Sequence, residues 1–85
     1  MRQIELGKTF AALGNHVAAL DYLNEALAVR PQDPALRVEL GKTYLCVDRR
    51  EDAEREFRAA IDVVDDAKLA DDVRRLLLTL ALRDK

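Results

Sequence analysis

The sequence has no tryptophan, two tyrosines, two phenylalanines, three glycines, two prolines, one histidine and one cysteine among its 85 residues. Each shortage excludes something. A single cysteine cannot close an internal disulfide, so no disulfide scaffold holds the chain. With Leu45 and Val47 beside it, Cys46 is expected to be a small buried or half-buried side chain and not an activated thiolate. Scarce glycine and proline, against 49% hydrophobic and 35% charged residues, argue against disorder and for an alanine- and leucine-rich helical protein. No stretch approaches the roughly 18 apolar residues of a membrane span. Met1 to Leu13 is interrupted by Glu5 and Lys8 and lacks the unbroken apolar core of a secretory signal. The expectation is a cytoplasmic protein with no membrane partner. Neither sign of charge dominates: 14 basic and 16 acidic residues are interspersed to a net charge of −2, which disfavours nucleic acid as a partner. A chain of 85 residues suffices for one small domain with little room for a deep cleft.

What the sequence does contain is an internal repeat. Glu5-Leu6-Gly7-Lys8-Thr9-Phe10 returns as Glu39-Leu40-Gly41-Lys42-Thr43-Tyr44, five identities and an aromatic exchange at an offset of 34 residues. Ile4 and Val38, Ala19 and Ala53, Leu23 and Phe57, Ala26 and Ala60, and Val29 and Val63 pair at the same offset. Small residues (Gly7, Ala19, Ala26, Gly41, Ala53, Ala60) suit places where two helices approach closely, and Leu6, Phe10, Leu23, Leu40, Tyr44 and Phe57 supply the bulk between them.

Punctuation places five helices. The first spans about Arg2 to Leu13 and stops at Gly14-Asn15, where glycine accepts a left-handed terminus and Asn15 caps the next helix. The second ends near Val29, before Pro31. Asp33-Pro34 opens a third, which ends near Val47. After Asp48-Arg49 a fourth runs from Arg50 to about Val64 with glutamate early in it, as the helix dipole prefers. A fifth covers Leu69 to Arg83 and leaves the repeat register, since the 34-residue offset puts Arg74 and Arg75 where leucine and glycine belong. Repeat arrays need an atypical unit over their last apolar face, and this helix fits that capping role.

The pattern resembles the tetratricopeptide repeat family, whose positions run tryptophan, leucine, glycine, tyrosine, then alanine, phenylalanine, alanine and proline. Leu6, Gly7, Phe10, Ala19, Leu23, Ala26 and Pro31 fill them once, with Gln3 at the tryptophan place. Leu40, Gly41, Tyr44, Ala53, Phe57 and Ala60 fill them again, with Asp65 at the proline place. The likeness covers residues 1 to about 67. It implies an all-α fold: a right-handed superhelical array of antiparallel helix pairs, two repeats (1–33 and 34–67) and a capping helix (68–85), in a single domain 1–85.

The chemical signals point elsewhere than catalysis. Gly7-Lys8-Thr9 and Gly41-Lys42-Thr43 resemble the end of a phosphate loop, but the earlier glycine such a loop needs is Arg2 or Leu36. Both lie in mid-helix, where backbone N–H groups are already committed to the helix ladder. His16 has no cysteine or acidic set at metal-ligand spacing and is expected to pack at a helix turn. Glu51, Asp52, Glu54 and Glu56 alternate with Arg50, Arg55 and Arg58, the composition of a solvated outer face. No nucleophile with a base, no metal set and no phosphate cradle is present, so neither enzyme activity nor a cofactor is expected.

The resemblance implies that the first helix of each repeat lines a concave groove for an extended peptide or a partner helix. In this chain that surface would be Ile4, Lys8, Ala11 and Ala12 with Val38, Lys42, Leu45 and Cys46, an apolar floor flanked by two stacked lysines. Helical spacing alone puts Ile4, Lys8 and Ala11 on one face, and Val38, Lys42 and Leu45 on another. The same spacing leaves open that the lysines are merely solvated while Ile4 and Val38 pack between helices. Some relatives grip a peptide's C-terminus with lysine, asparagine and arginine. The corresponding places here hold Ile4, Lys8, Glu39, Leu69 and Val73, which do not reproduce that grip. On the fifth helix Leu69, Val73, Leu76, Leu77 and Leu80 form one face to cover the second repeat. Leu78 and Leu82 point away as a possible dimer or docking surface. Two functions follow: a protein-binding adaptor or scaffold, or a self-assembly unit that forms a homodimer through its last helix.

Overall fold

A computed structural model describes residues 2–83, with side chains for 4–83. Gln3 at the tryptophan place, and Met1, Asp84 and Lys85 within the expected domain bounds, therefore lie outside the residues or side chains described. Five helices follow one another: α1 Arg2–Ala12, α2 His16–Val29, α3 Pro34–Cys46, α4 Arg50–Val63 and α5 Ala67–Arg83. Each packs on the next in the chain, and α1 also touches α3. Connections of three or four residues between packed neighbours force the chain to reverse at every turn. The result is an all-α array of helical repeats.

Local chemistry sets the ends. Gly14 takes φ +84°, and the Asn15 N–H donates to Phe10 O at 2.8 Å, closing α1 one residue earlier than expected. Asn15 Oδ1 then accepts from the Ala18 N–H at 3.3 Å and caps α2. At α3, Asp33 Oδ1 accepts from the Leu36 N–H at 3.2 Å, ahead of Pro34 in the first turn. Between α3 and α4, Asp48 adopts φ +62°, a left-handed conformation that aspartate tolerates better than most residues. The fifth helix starts two residues before the expected Leu69. The cause is Asp66, whose Oδ1 accepts from the N–H groups of Lys68 (2.9 Å) and Leu69 (3.4 Å).

Two apolar clusters hold the array. Leu23, Ala26, Leu36 and Leu40 join α2 to α3, with Ile4, Leu20 and Leu27 at their margin. Val38, Ala53, Phe57, Ala60, Val73 and Leu80 join α3, α4 and α5, with Leu45, Ile61, Leu69, Leu76 and Leu77 around them. Tyr44 packs against both clusters, and the Arg49 guanidinium lies 4.9 Å from its ring centre. The α1–α2 contact gains a stacked pair, Phe10 on Tyr22, with ring centres 5.4 Å apart.

Three expectations need correction. Leu6 does not fill an interface but stands exposed on the outer side of α1, where no helix among the described residues packs over it. Cys46 is exposed, not buried. It lies on the same side of α3 as Lys42, one turn away, and not on the side that meets α4. The acidic stripe of α4 is not wholly solvated: Glu56 turns inward to Arg37 of α3 at 2.9 Å, while Asp52 pairs with Arg49 and Arg55, and Glu54 with Arg58.

The tightest places are the glycines between paired helices. A Cβ on Gly7 would stand 2.7 Å from Leu23 Cγ, and one on Gly41 would run into the Phe57 ring. Alanine favours a helix interior by about 1 kcal/mol over glycine, yet crowding wins at Gly41 because Phe57 is enclosed and cannot retreat. Gly41→Ala is expected to lower stability by about 1–3 kcal/mol in urea unfolding. Cys46 in the folded protein is expected to react with a thiol reagent within about tenfold of its rate in urea, whereas a buried thiol would react orders of magnitude more slowly.

Candidate functional site

The face to which α1, α3 and α5 contribute is best built from α5, because its register differs from the other two. Asp33 and Asp66 perform the same capping, each accepting from the N–H three residues on, and they are 33 residues apart. Leu40 and Val73 are likewise 33 apart and both wholly buried. So α5 follows α3 at an interval of 33, one residue short of the repeat, and Arg74 occupies the place of Gly41.

With that interval, three basic residues share one position on alternate helices, α1, α3 and α5: Lys8, Lys42 and Arg75. Three residues before each stands an acid: Glu5, Glu39 and Asp72. All six except the half-buried Glu39 are exposed. Among the described residues, none of the three basic side chains has an ion-pair partner within 4.0 Å, in contrast to Arg37, Arg49, Arg55, Arg58 and Arg74. Lys42 and α5 enclose an open hollow of about 280 Å³ lined by Lys42, Asp72, Arg75, Leu76 and Thr79. Half-buried Leu76 is its apolar part; the rim holds two cations, one carboxylate and a hydroxyl.

The residues expected at the groove divide. Lys8, Ala12, Lys42 and Cys46 are exposed on this side, and Ala11 is half-buried. Ile4 and Leu45 are half-buried against the two apolar clusters, and Val38, only 5% exposed, belongs to the second of them. They lie beneath this face and support it. Arg75, Asp72 and Thr79 were not legible at a strict 34-residue offset, which aligns Lys42 with Leu76 instead. The signal that finds them is the recurrence of Asp-x-x-Leu, at Asp33 to Leu36 and at Asp66 to Leu69. Leu78 and Leu82 point away from the core and are both well exposed, Leu82 two turns beyond Arg75 on nearly the same face.

Two other places are less apt. A larger hollow, about 670 Å³ around Asp48, Arg49, Arg50, Glu51, Asp52 and Glu54, is a turn surface whose Arg49 and Asp52 already bind each other at 2.7 Å. His16 opens α2 with its Nδ1 buried and unpartnered, and among the described residues no group of three potential metal-ligating side chains exists. Among them, too, no helix is long and apolar enough to cross a membrane.

No curated protein and no solved structure matches the chain. A family model described as tetratricopeptide repeat does match, over residues 10–77, a span of twice the 34-residue period. It reaches ten residues past the point where the sequence likeness was placed, and so takes in more than half of α5. Matched over most of its length, with its glycines, alanines and bulky residues at the helix crossings that motif requires, the chain belongs to the tetratricopeptide repeat family.

Proposed function

We propose that this protein is an interaction module or adaptor that binds an extended, acidic peptide segment across α1, α3 and α5. Tetratricopeptide repeats in general mediate protein–protein interactions, and the reading of this chain as a non-enzyme rests on that family membership. The observation that carries the proposal is the row Lys8, Lys42 and Arg75, exposed and without ion-pair partners, ending at a hollow with a leucine in it. Helices in contact lie roughly 8–10 Å apart, about three residues of an extended chain at about 3.3 Å each. Carboxylates at every third residue would therefore meet successive basic side chains, and an apolar residue near the end would enter beside Leu76. The parallel row of Glu5, Glu39 and Asp72 repels an acidic segment that shifts by one helical turn, which fixes its track.

In this reading residues 1–33 and 34–67 are the two repeats and 68–85 the closing helix of a single domain. The closing role is supported by Arg74, which stands where a following helix would need glycine. Right-handed superhelical winding makes the face concave, and a cytoplasmic setting keeps the exposed Cys46 thiol reduced. No cofactor and no nucleic acid takes part. A second reading, a homodimer joined symmetrically through α5, draws on the exposure of Leu78 and Leu82 at 60% and 61%.

A labelled peptide with glutamate at every third position and one leucine, compared with its glutamine counterpart by fluorescence anisotropy, tests the groove. The acidic peptide is expected to bind more tightly, and Lys42→Glu with Arg75→Glu to weaken it about tenfold or more, since each exposed pair contributes up to about 1 kcal/mol. Equal affinity for the two peptides, or no response to charge reversal, would end the proposal.

A further inference from the structure

Two parallel rows of opposite charge cross the same face, and a ligand that lies on one is within reach of the other. The basic row is Lys8, Lys42 and Arg75; the acidic row is Glu5, Glu39 and Asp72, three residues earlier on each helix. Side chains at that spacing have Cβ atoms about 5–6 Å apart, inside the roughly 10 Å over which charges act at about 0.1 M salt. The same spacing closes an ion pair one residue earlier on α5, where Arg74 lies 3.5 Å from Asp71. Among the described residues, Asp72 and Arg75 make no such pair, and neither do Glu39 and Lys42. Both signs of charge are therefore open to a ligand.

The hollow repeats this arrangement at close range. Lys42 and Arg75 offer it only donors, and Asp72 only acceptors. Thr79 adds a further acceptor, because its hydroxyl donates to Arg75 O at 2.9 Å and keeps only lone pairs for the hollow. A segment with carboxylates alone satisfies the two cations and sets its own charge against Asp72. Its attraction is confined to direct contact, since the charges of the two rows cancel and the whole chain carries −2. A polyproline II segment can meet both rows, because it has three residues per turn and rises about 3.1 Å per residue. Every third side chain then lies along one edge at intervals of about 9 Å, which matches the roughly 8–10 Å between packed helices. The next position of each triplet lies along a second edge.

We propose that the segment bound across α1, α3 and α5 is ampholytic: a polyproline II stretch of acid–base–x triplets, its carboxylates on Lys8, Lys42 and Arg75 and its basic side chains on Glu5, Glu39 and Asp72. This rests on the peptide reading above and adds the partner's second charge and its backbone form. Proline suits the third place of each triplet, which faces away from the protein, and holds the segment in that form before it binds.

Fluorescence anisotropy with three labelled peptides tests it: three triplets each of Glu-Lys-Pro, Glu-Gln-Pro or Gln-Gln-Pro. All have neutral ends and a leucine at both, so that either chain direction brings a leucine to Leu76. On wild type the Glu-Lys-Pro peptide is expected to bind about tenfold more tightly than the Glu-Gln-Pro peptide. In Glu5→Gln with Asp72→Asn, both exposed positions, that advantage is expected to fall to about threefold or less, with helicity checked by circular dichroism. Equal or weaker binding of Glu-Lys-Pro to wild type overturns the inference. The acidic-peptide reading survives that outcome if Glu-Gln-Pro still binds better than Gln-Gln-Pro, and falls with it if all three bind alike. An advantage that the double variant keeps in full also overturns the inference, because the lysines then pair elsewhere.

Discussion

Two crossings without a Cβ set the geometry on which the other elements depend. At Gly7 and Gly41 the backbone of one helix lies against a bulky side chain of its partner, Leu23 and Phe57 respectively. The partner helices are in turn thinned by Ala19, Ala26, Ala53 and Ala60, all with no exposed surface. Small on one side and large on the other lets dispersion contacts form over the whole crossing without voids. That spacing then decides what can pack outside each pair. Leu40 reaches Leu23 and Ala26, and Val73 reaches Phe57, because the helices beneath them are so close.

The connections are secured by a different chemistry. Arg37 donates to Pro31 O through Nε at 3.2 Å and Nη2 at 3.0 Å, and to Glu56 Oε1 through Nη1 at 2.9 Å. One side chain thus ties the loop before α3 to α4. With 21% and 12% of the two side chains exposed, the ion pair is partly screened, and its share of stability is on the order of 1 kcal/mol. Its greater effect is directional, because the planar guanidinium fixes the loop carbonyl and the carboxylate at once. Asp33 and Asp66 do similar work at helix starts, and the interval between them decides which residues of α5 stand beside Lys42.

Much of this could be read from the sequence. Spacing and caps fixed five helices to within two residues, and the inward face of α5, including Val73 and Leu80, followed from helical periodicity alone. The misses have physical causes. Leu6 matches its motif position, but motif identity says nothing about whether a neighbour exists to bury it. Cys46 looked buried because its sequence neighbours are apolar, yet neighbours in a helix point about 100° apart, and burial follows face and not adjacency. Arg37 with Glu56 joins residues on different helices, a pairing that intrahelical charge rules do not detect. The row of basic residues was two-thirds visible, as Lys8 and Lys42; Arg75 stayed hidden behind a one-residue shortening of the last interval.

Because each helix packs chiefly on its neighbours in the chain, the sequence distance that closing each contact must span is short. Chains of such low contact order fold in roughly microseconds to milliseconds. Their opening is equally local. The α3–α4 pair is enclosed on both sides by α2 and α5, so its amides will be the slowest to exchange with solvent, while the outer helices peel away first. Melting should therefore be graded from the ends inward, with one melted helix leaving the remaining pairs still folded.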